Sequence, residues 1–241
     1  MITEEVVNGR RFYYDTDTGQ KVPSVTTVTS LRSPFSSGGR PGKAAAIGSL
    51  LHYHIEKDIR RNLHLGTADA PDARIWGNGI DEEVWMKIQA GLRMWKKLGI
   101  VFENPRIETV FFNGRYGYAG RIDILDDLDN NHCVVYELKS GDFYDHYELQ
   151  GAAYAHAVGA DKVVFVQCDI NPVRNPDQVG KIIEMGREDI NSKFAEFIET
   201  LQQFYLERQQ GGMNDAINTC KRGAQSAQKR MDKNIQRRGR K

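Results

Sequence analysis

Residues 117–154 read GYAGRIDILDDLDNNHCVVYELKSGDFYDHYELQGAAY, and the fold follows from how this stretch is parsed. It holds two apolar, β-branched runs and then a segment of helical character. Asp123 sits inside the first run, and Glu137-Leu138-Lys139 closes the second. Side chains alternate between the two faces of a strand, so Glu137 and Lys139 point the same way. If the two runs pair as neighbouring strands, Asp123 is brought beside them. Two carboxylates and an ammonium then share one small space at the end of an apolar sheet, an arrangement that folding by itself does not call for.

Outward from this stretch the pattern is that of an α/β chain. Upstream, 101–112 is a third strand candidate, joined to 116–127 by Asn113-Gly114, a tight-turn signal. Asp129-Asn130-Asn131 turns 116–127 into 132–139, giving an antiparallel meander. Downstream, 148–158 reads as a helix. The continuous apolar run 162–168 reads as a buried strand beside it, and 179–185 adds a short strand. Residues 187–210 carry Ile190, Phe194, Phe197, Leu201 and Phe204 on one stripe and predict a long amphipathic helix.

Two more helices are predicted earlier in the chain. Ile47, Leu50, Leu51, Ile55 and Ile59 recur at helical spacing over 44–61, and Val84, Trp85, Ile88, Leu92 and Trp95 do so over 82–98. The tryptophans are expected in the core, and Gly99 is placed to end the second helix. His52 and Glu56, four apart, share a helix face. Residues 10–29 look like a hairpin, two β-prone runs about Asp-Thr-Asp-Thr-Gly, with Pro23 restricting the second to an edge or a start. The loop SPFSSGGRPGK at 33–43 is rich in Gly, Ser and Pro, and residues 62–80 are irregular.

Composition narrows the class. A 241-residue chain that is 40% hydrophobic and 27% charged has enough apolar content for one globular domain with extensions. No apolar stretch reaches the roughly 18 residues of a membrane span. The polar, acidic opening MITEEVVNGRRFYYD is unlike a signal peptide, so a cytosolic protein is expected. Three scattered cysteines without a CxxC pattern argue against a disulfide framework and against zinc or iron–sulfur ligation. The net charge of +1 hides an asymmetry: residues 221–241 carry a net +8, leaving −7 on the rest. A basic tail of this kind reads as a polyanion-seeking arm or as a solubilising terminus.

The acids and the lysine match one chemistry. Hydrolysing a phosphodiester requires a nucleophile and neutralisation of charge on the phosphoryl oxygens. A divalent ion held by carboxylates supplies both. Magnesium prefers oxygen ligands and keeps several waters, so one or two carboxylates suffice. Asp123 and Glu137 are the expected ligands, joined by the backbone carbonyl of Leu138. Lys139 would orient the attacking water or stabilise the transition state. Glu137-Leu138-Lys139 is the only acid-x-Lys triplet in the chain. On spacing alone, a metal nuclease and a surface salt bridge beside a turn both remain open.

The order of motifs resembles that of the PD-(D/E)XK nuclease superfamily, and within it the RecB-like exonucleases. Their helix with Gly-x-x-x-His is represented here by Gly48-Ser-Leu-Leu-His52, their acid-bearing strand by Asp123, their acid-x-Lys by Glu137-Leu-Lys139, and their Gln-x-x-x-Tyr helix by Gln150-Gly-Ala-Ala-Tyr154. The segment FYYDTDTGQKVPSVTTVTS is similar to the opening of the mitochondrial genome maintenance exonucleases and their phage relatives. The resemblance implies that His52 is a further metal ligand, and that Gln150 and Tyr154 contact the substrate backbone or the lysine. It also implies that Ser140 and Gly141 allow close approach of the scissile phosphate. Glu108 and Glu56 are candidate accessory acids. Glu stands before Lys139 where many relatives have Asp. The four cysteines of iron–sulfur relatives and any helicase motif are absent.

The expected fold is therefore α/β, a restriction-endonuclease-like core with a mixed central sheet flanked by helices. An N-terminal hairpin and loop (1–42) would precede a nuclease domain (43–212) and a basic tail (213–241). The expected activity is Mg²⁺- or Mn²⁺-dependent DNA exonuclease action in replication, repair or recombination, in the cytoplasm or, if phage-encoded, that of the host. A structure-directed endonuclease and a non-catalytic DNA-binding module on the same scaffold are the alternatives. The expected partner is DNA, as single strands or duplex ends, and no membrane. A second copy of the chain or a replication or recombination protein is left open.

Overall fold

Asn8 and Gly9 take left-handed φ values of 52° and 75°, the conformation a two-residue hairpin turn needs, and the chain folds back on itself there. Strand β1 (Ile2–Val7) pairs antiparallel with β2 (Arg10–Asp15), which pairs with β3 (Lys21–Pro23). The expected hairpin over 10–29 is thus shorter at one end and extended at the other. The run after Pro23 is not strand but helix α1 (Val25–Thr29), because the Ser24 hydroxyl accepts the Thr27 N–H and caps it. β1 was not expected, although Asn8-Gly9 signals the turn that creates it.

The computed structural model describes residues 1–33, 43–66, 82–129, 132–168 and 180–209. The glycine-rich loop around Arg40, most of the irregular 62–80 segment, the Asn130-Asn131 turn and the basic tail lie outside the described residues. The chain divides into two units, Met1–Ile198 and Glu199–Lys241, and the first holds both sheets.

The central sheet has five strands in the order β4 (Pro105–Asn113), β5 (Tyr118–Asp129), β6 (His132–Lys139), β7 (Lys162–Gln167) and β8 (Lys181–Met185). The β6–β7 pair is parallel and the other three are antiparallel. A parallel pair needs a crossover, supplied by helix α4 (Asp145–Val158). This is an α/β fold with a mixed five-stranded sheet flanked by helices, consistent with a restriction-endonuclease-like core. β4 starts later than the expected 101, because the buried Asp126 carboxylate accepts the N–H groups of Glu103 and Asn104 and holds that segment as a loop. The turn after Asn113 is wider than two residues: Gly117 N–H bonds the Asn113 carbonyl at 2.9 Å.

Helices α2 (Lys43–Asn62) and α3 (Glu82–Leu98) lie on one face of the sheet. Their Leu51, Ile55, Ile59, Met94 and Trp95 pack with Ile124, Val134, Leu138, Val164 and Val166. Trp95 is in the core, as expected of both tryptophans of α3, but Trp85 is 42% exposed. Trp85 rests edge-on against His54 at the rim of the α2–α3 pair. α4 covers the other face, where a Cβ at Gly151 would meet Phe165 and Val163. Helix α5 spans 187–209. In its first-unit part, Phe194 stacks on His156 of α4 and Phe197 packs against Tyr118.

Cys133 and Cys168 are free thiols, and burial pushes the Cys168 thiol up to about 12, which makes it unreactive. Among the described residues, no helix is long and apolar enough to cross a membrane.

Candidate active site

The β5–β6 ladder runs from Asp129/His132 to Ile124/Tyr136 and ends there. Carried one residue further, its register sets Asp123 opposite Glu137, with both side chains on the same face. At that point side chains replace the ladder. Asp123 Oδ2 accepts the Leu138 N–H at 2.9 Å, and the Asp123 N–H approaches Glu137 Oε1 at 3.4 Å. The two strands part without leaving the Leu138 donor unpaired, and the gap between them is where the acids converge.

Glu137 is 1% exposed, and its carboxylate is held on three sides. Lys139 Nζ donates to Glu137 Oε2 at 3.0 Å and to Gln150 Oε1 at 3.1 Å. Gln150 Nε2 donates to Glu137 Oε2 at 2.9 Å and to the Tyr154 hydroxyl at 3.1 Å. The ammonium also lies 4.6 Å from the centre of the Tyr147 ring, a cation–π contact. Burial, and then the charge of Asp123, push the Glu137 carboxyl up to about 7. Burial works against the Lys139 ammonium, but Glu137 and Asp123 outweigh it and hold its pKa above the usual lysine range. Lys139 therefore stays charged at neutral pH, and Glu137 is the member of the pair that titrates.

α2 closes the site from the opposite side. A Cβ at Gly48 would stand 2.7 Å from Ser140 Oγ, so any larger residue there would have to push that hydroxyl aside. One turn on, His52 Nδ1 lies 3.6 Å from Asp123 Oδ2, an ion-pair distance, too long for a good hydrogen bond. Burial alone would lower the imidazole, but the Asp123 carboxylate outweighs it and raises its pKa. Asp123 responds in kind: burial favours its neutral form, but His52, Lys139 and the Leu138 N–H hold it below the usual range.

Of the accessory acids, Glu56 is spent on Arg60, 2.7 Å away. Glu108 is the residue of β4 that the register places opposite Asp123, between the Ile107/Ile124 and Thr109/Ile122 pairs. Its φ is +53°, costly for a non-glycine residue, and it interrupts the ladder there. Its carboxylate meets Arg121 at 2.6 Å, while burial and then the charge of Asp123 push it up to about 7. Glu108, Asp123 and Glu137 thus form a row of acids across β4, β5 and β6.

The structure brings His52, Asp123, Glu137, Lys139 and Gln150 together. Ser140 packs against Gly48. Tyr154 is 2% exposed and its hydroxyl accepts from Gln150 Nε2, so of the two partners the resemblance implied, the substrate backbone or the lysine, burial disfavours the first. Sequence reasoning did not single out Tyr147, although it lies three residues before Gln150 and so shares its helix face. Gly120 was also passed over. A Cβ there would stand 2.7 Å from the Tyr154 ring, so this glycine lets α4 settle on β5.

Among the described residues, no three His, Cys, Asp or Glu side chains form a ready-made metal cage. The groups able to ligate a cation are the Asp123 and Glu137 carboxylates and the Leu138 carbonyl, which lies on the same strand edge as its N–H. Two neighbouring carboxylates, one of them raised by burial and then by the charge of the other, fit a hard divalent cation that keeps most of its waters. His52 would have to lose its proton to join them.

No family model matches the chain, and no curated protein matches it. Solved structures do show similarity. A candidate exonuclease from Eubacterium rectale is 11% identical, with 75% of this chain and 73% of that one covered and a TM-score of 0.44. An alkaline exonuclease from Laribacter hongkongensis is 13% identical, with 79% and 93% covered and a TM-score of 0.36. A phage-related exonuclease from Haemophilus somnus 129PT is 14% identical, with 67% and 83% covered and a TM-score of 0.30. Similarity at this level assigns neither a family nor an activity.

Proposed function

We propose that this chain is a metal-dependent deoxyribonuclease that hydrolyses phosphodiester bonds from a DNA end. The observation that carries the reading is the Lys139 ammonium, buried and fixed between Glu137 and Gln150, with Asp123 opposite Glu137 at the parting of two strands. A buried lysine amid acids is costly to assemble for stability alone. It suits a reaction that needs both a cation-binding pair and a fixed positive charge.

Asp123, Glu137 and the Leu138 carbonyl would hold a Mg²⁺ or Mn²⁺ ion, which would supply a water of lowered pKa and a Lewis acid for the phosphoryl group. The protein's own groups do the positioning. Gln150 Oε1 sets the direction of the Lys139 ammonium, whose remaining donor capacity serves the attacking water or a non-bridging phosphate oxygen. His52 keeps Asp123 ionised. Glu108 is held by Arg121 as a further acid in the row. The reading carries with it work in DNA replication, repair or recombination in the cytoplasm, a host's if the gene is a phage's.

The test is cleavage of 5′- and 3′-labelled single- and double-stranded oligonucleotides and of circular DNA, with Mg²⁺, Mn²⁺ or EDTA. Metal-dependent release of short products from linear DNA, absent in Asp123→Ala and Lys139→Ala, is the expected result. Cutting of circles shows endonuclease action instead. Wild-type rates in either variant overturn the assignment.

A further inference from the structure

Lys139 is followed by a run of aromatic residues that the catalytic reading leaves unused. Residues 140–150 contain Phe143, Tyr144, His146 and Tyr147, with no lysine or arginine. Phe143 is the anchor: its ring packs edge-on against the buried Phe165 at 5.1 Å and against Tyr147 at 5.6 Å. Tyr147 carries the Lys139 ammonium. Tyr144 lies edge-on to Tyr147 at 5.7 Å and nearly parallel to His146, with ring centres 5.8 Å and planes 18° apart. All four are only half-buried, whereas the core aromatics Tyr13, Tyr118, Phe165 and Phe197 are almost wholly enclosed. Burial and the nearby Lys139 keep the His146 ring on the neutral side.

We propose that Tyr144, His146 and Tyr147 form a shelf that stacks an unpaired base beside the scissile phosphate, so that the site takes single-stranded DNA in preference to a blunt duplex. This rests on the nuclease reading of Lys139 and its neighbours. The exposed Asp142 and Asp145 flank the shelf, so it repels phosphate and offers a nucleic acid only ring faces. Bases inside a duplex have both faces covered by their neighbours, whereas an unpaired base has a face free to stack on a side chain. The shelf adjoins the catalytic lysine through Tyr147, whose ring centre lies 4.6 Å from the Lys139 ammonium. Aromatic stacking of this kind is indifferent to sequence, which suits an enzyme that degrades whatever strand it meets.

The test measures binding apart from cleavage. Fluorescence anisotropy of a labelled oligothymidylate and of a blunt duplex is recorded in Ca²⁺ for wild type, Tyr144→Ala/His146→Ala and Tyr144→Phe/His146→Phe. The alanine pair is expected to weaken single-strand binding about 10-fold and duplex binding at most about twofold, with the phenylalanine pair restoring it. An oligonucleotide with abasic residues at its end should bind wild type as weakly as the intact strand binds the alanine pair. Equal losses for both DNAs, no loss, or no effect of the abasic residues overturns the shelf. A wild type that shows this binding pattern but cleaves nothing overturns the nuclease reading while leaving the shelf standing.

Discussion

The Leu138 N–H, which an uninterrupted ladder would give to a carbonyl of β5, goes instead to Asp123 Oδ2 at 2.9 Å. One carboxylate thereby parts two strands, satisfies the donor that the parting exposes, and turns towards Glu137. The separation of structural from chemical roles at this residue is testable. Asp123→Asn keeps an acceptor for Leu138 and should retain stability, while Asp123→Ala leaves a buried donor unmet at about 1–3 kcal/mol. Both should lose cleavage by about 100-fold or more. Thermal melts and end-labelled DNA digestion, run together, check the two halves.

Gln150 bonds Lys139, Glu137 and Tyr154 at once, so its removal should loosen the lysine without removing it. Gln150→Ala is expected to lower kcat about 10- to 100-fold with a smaller change in KM, since the ammonium keeps its charge and loses its aim. Steady-state kinetics on a single-stranded oligonucleotide would show this. A change confined to KM would instead place Gln150 on the substrate.

The Gly48–Ser140 approach predicts a rescue. Gly48→Ala puts a methyl group 2.7 Å from Ser140 Oγ but 3.9 Å from Ser140 Cβ. The hydroxyl has to rotate away, so the variant should be destabilised by at most about 1 kcal/mol, and adding Ser140→Ala should recover most of that. A double-mutant cycle by denaturant unfolding measures the coupling, and additive losses would show that the clash lies elsewhere.

Glu137 and Glu108 are both raised to about 7 from a usual 4.5. Their folded forms bind protons more tightly than the unfolded chain, so stability is present below about pH 4.5 and is lost as pH rises towards 7. His52, also raised, acts in the same direction, its contribution being lost as pH climbs through its folded value. Asp123, lowered, acts oppositely, but only below its usual 3.8. The melting temperature in EDTA should therefore fall between pH 5 and pH 8, and Glu108→Gln/Glu137→Gln should flatten the fall. Added Mg²⁺ should raise the melting temperature more at pH 8 than at pH 5, because protons compete for its ligands.

Much of the fold was legible because its signals are local. Periodicity marked α2, α3 and α5, β-branched runs marked β5, β6 and β7, and the spacing of Glu137 and Lys139 fixed that they share a face. Where the reading failed, a side chain had taken backbone donors, from far along the chain when Asp126 captured 103–104 and locally when Ser24 capped a helix in a β-prone run. Trp85 failed for a related reason: helical spacing gives a stripe, but the width of the buried part depends on what lies across from it.

By itself the sequence determined most of the helices and strands, which depend on neighbours along the chain, and the kinds of ionisable group available. Only the tertiary structure decided that Asp123 faces Glu137, that Gly48 of α2 meets Ser140 at the end of β6, that Glu56 is taken by Arg60 and that Tyr154 is buried against Gln150. Those facts depend on strand register and on how closely a helix meets a sheet, and both are set by packing between segments far apart in the chain.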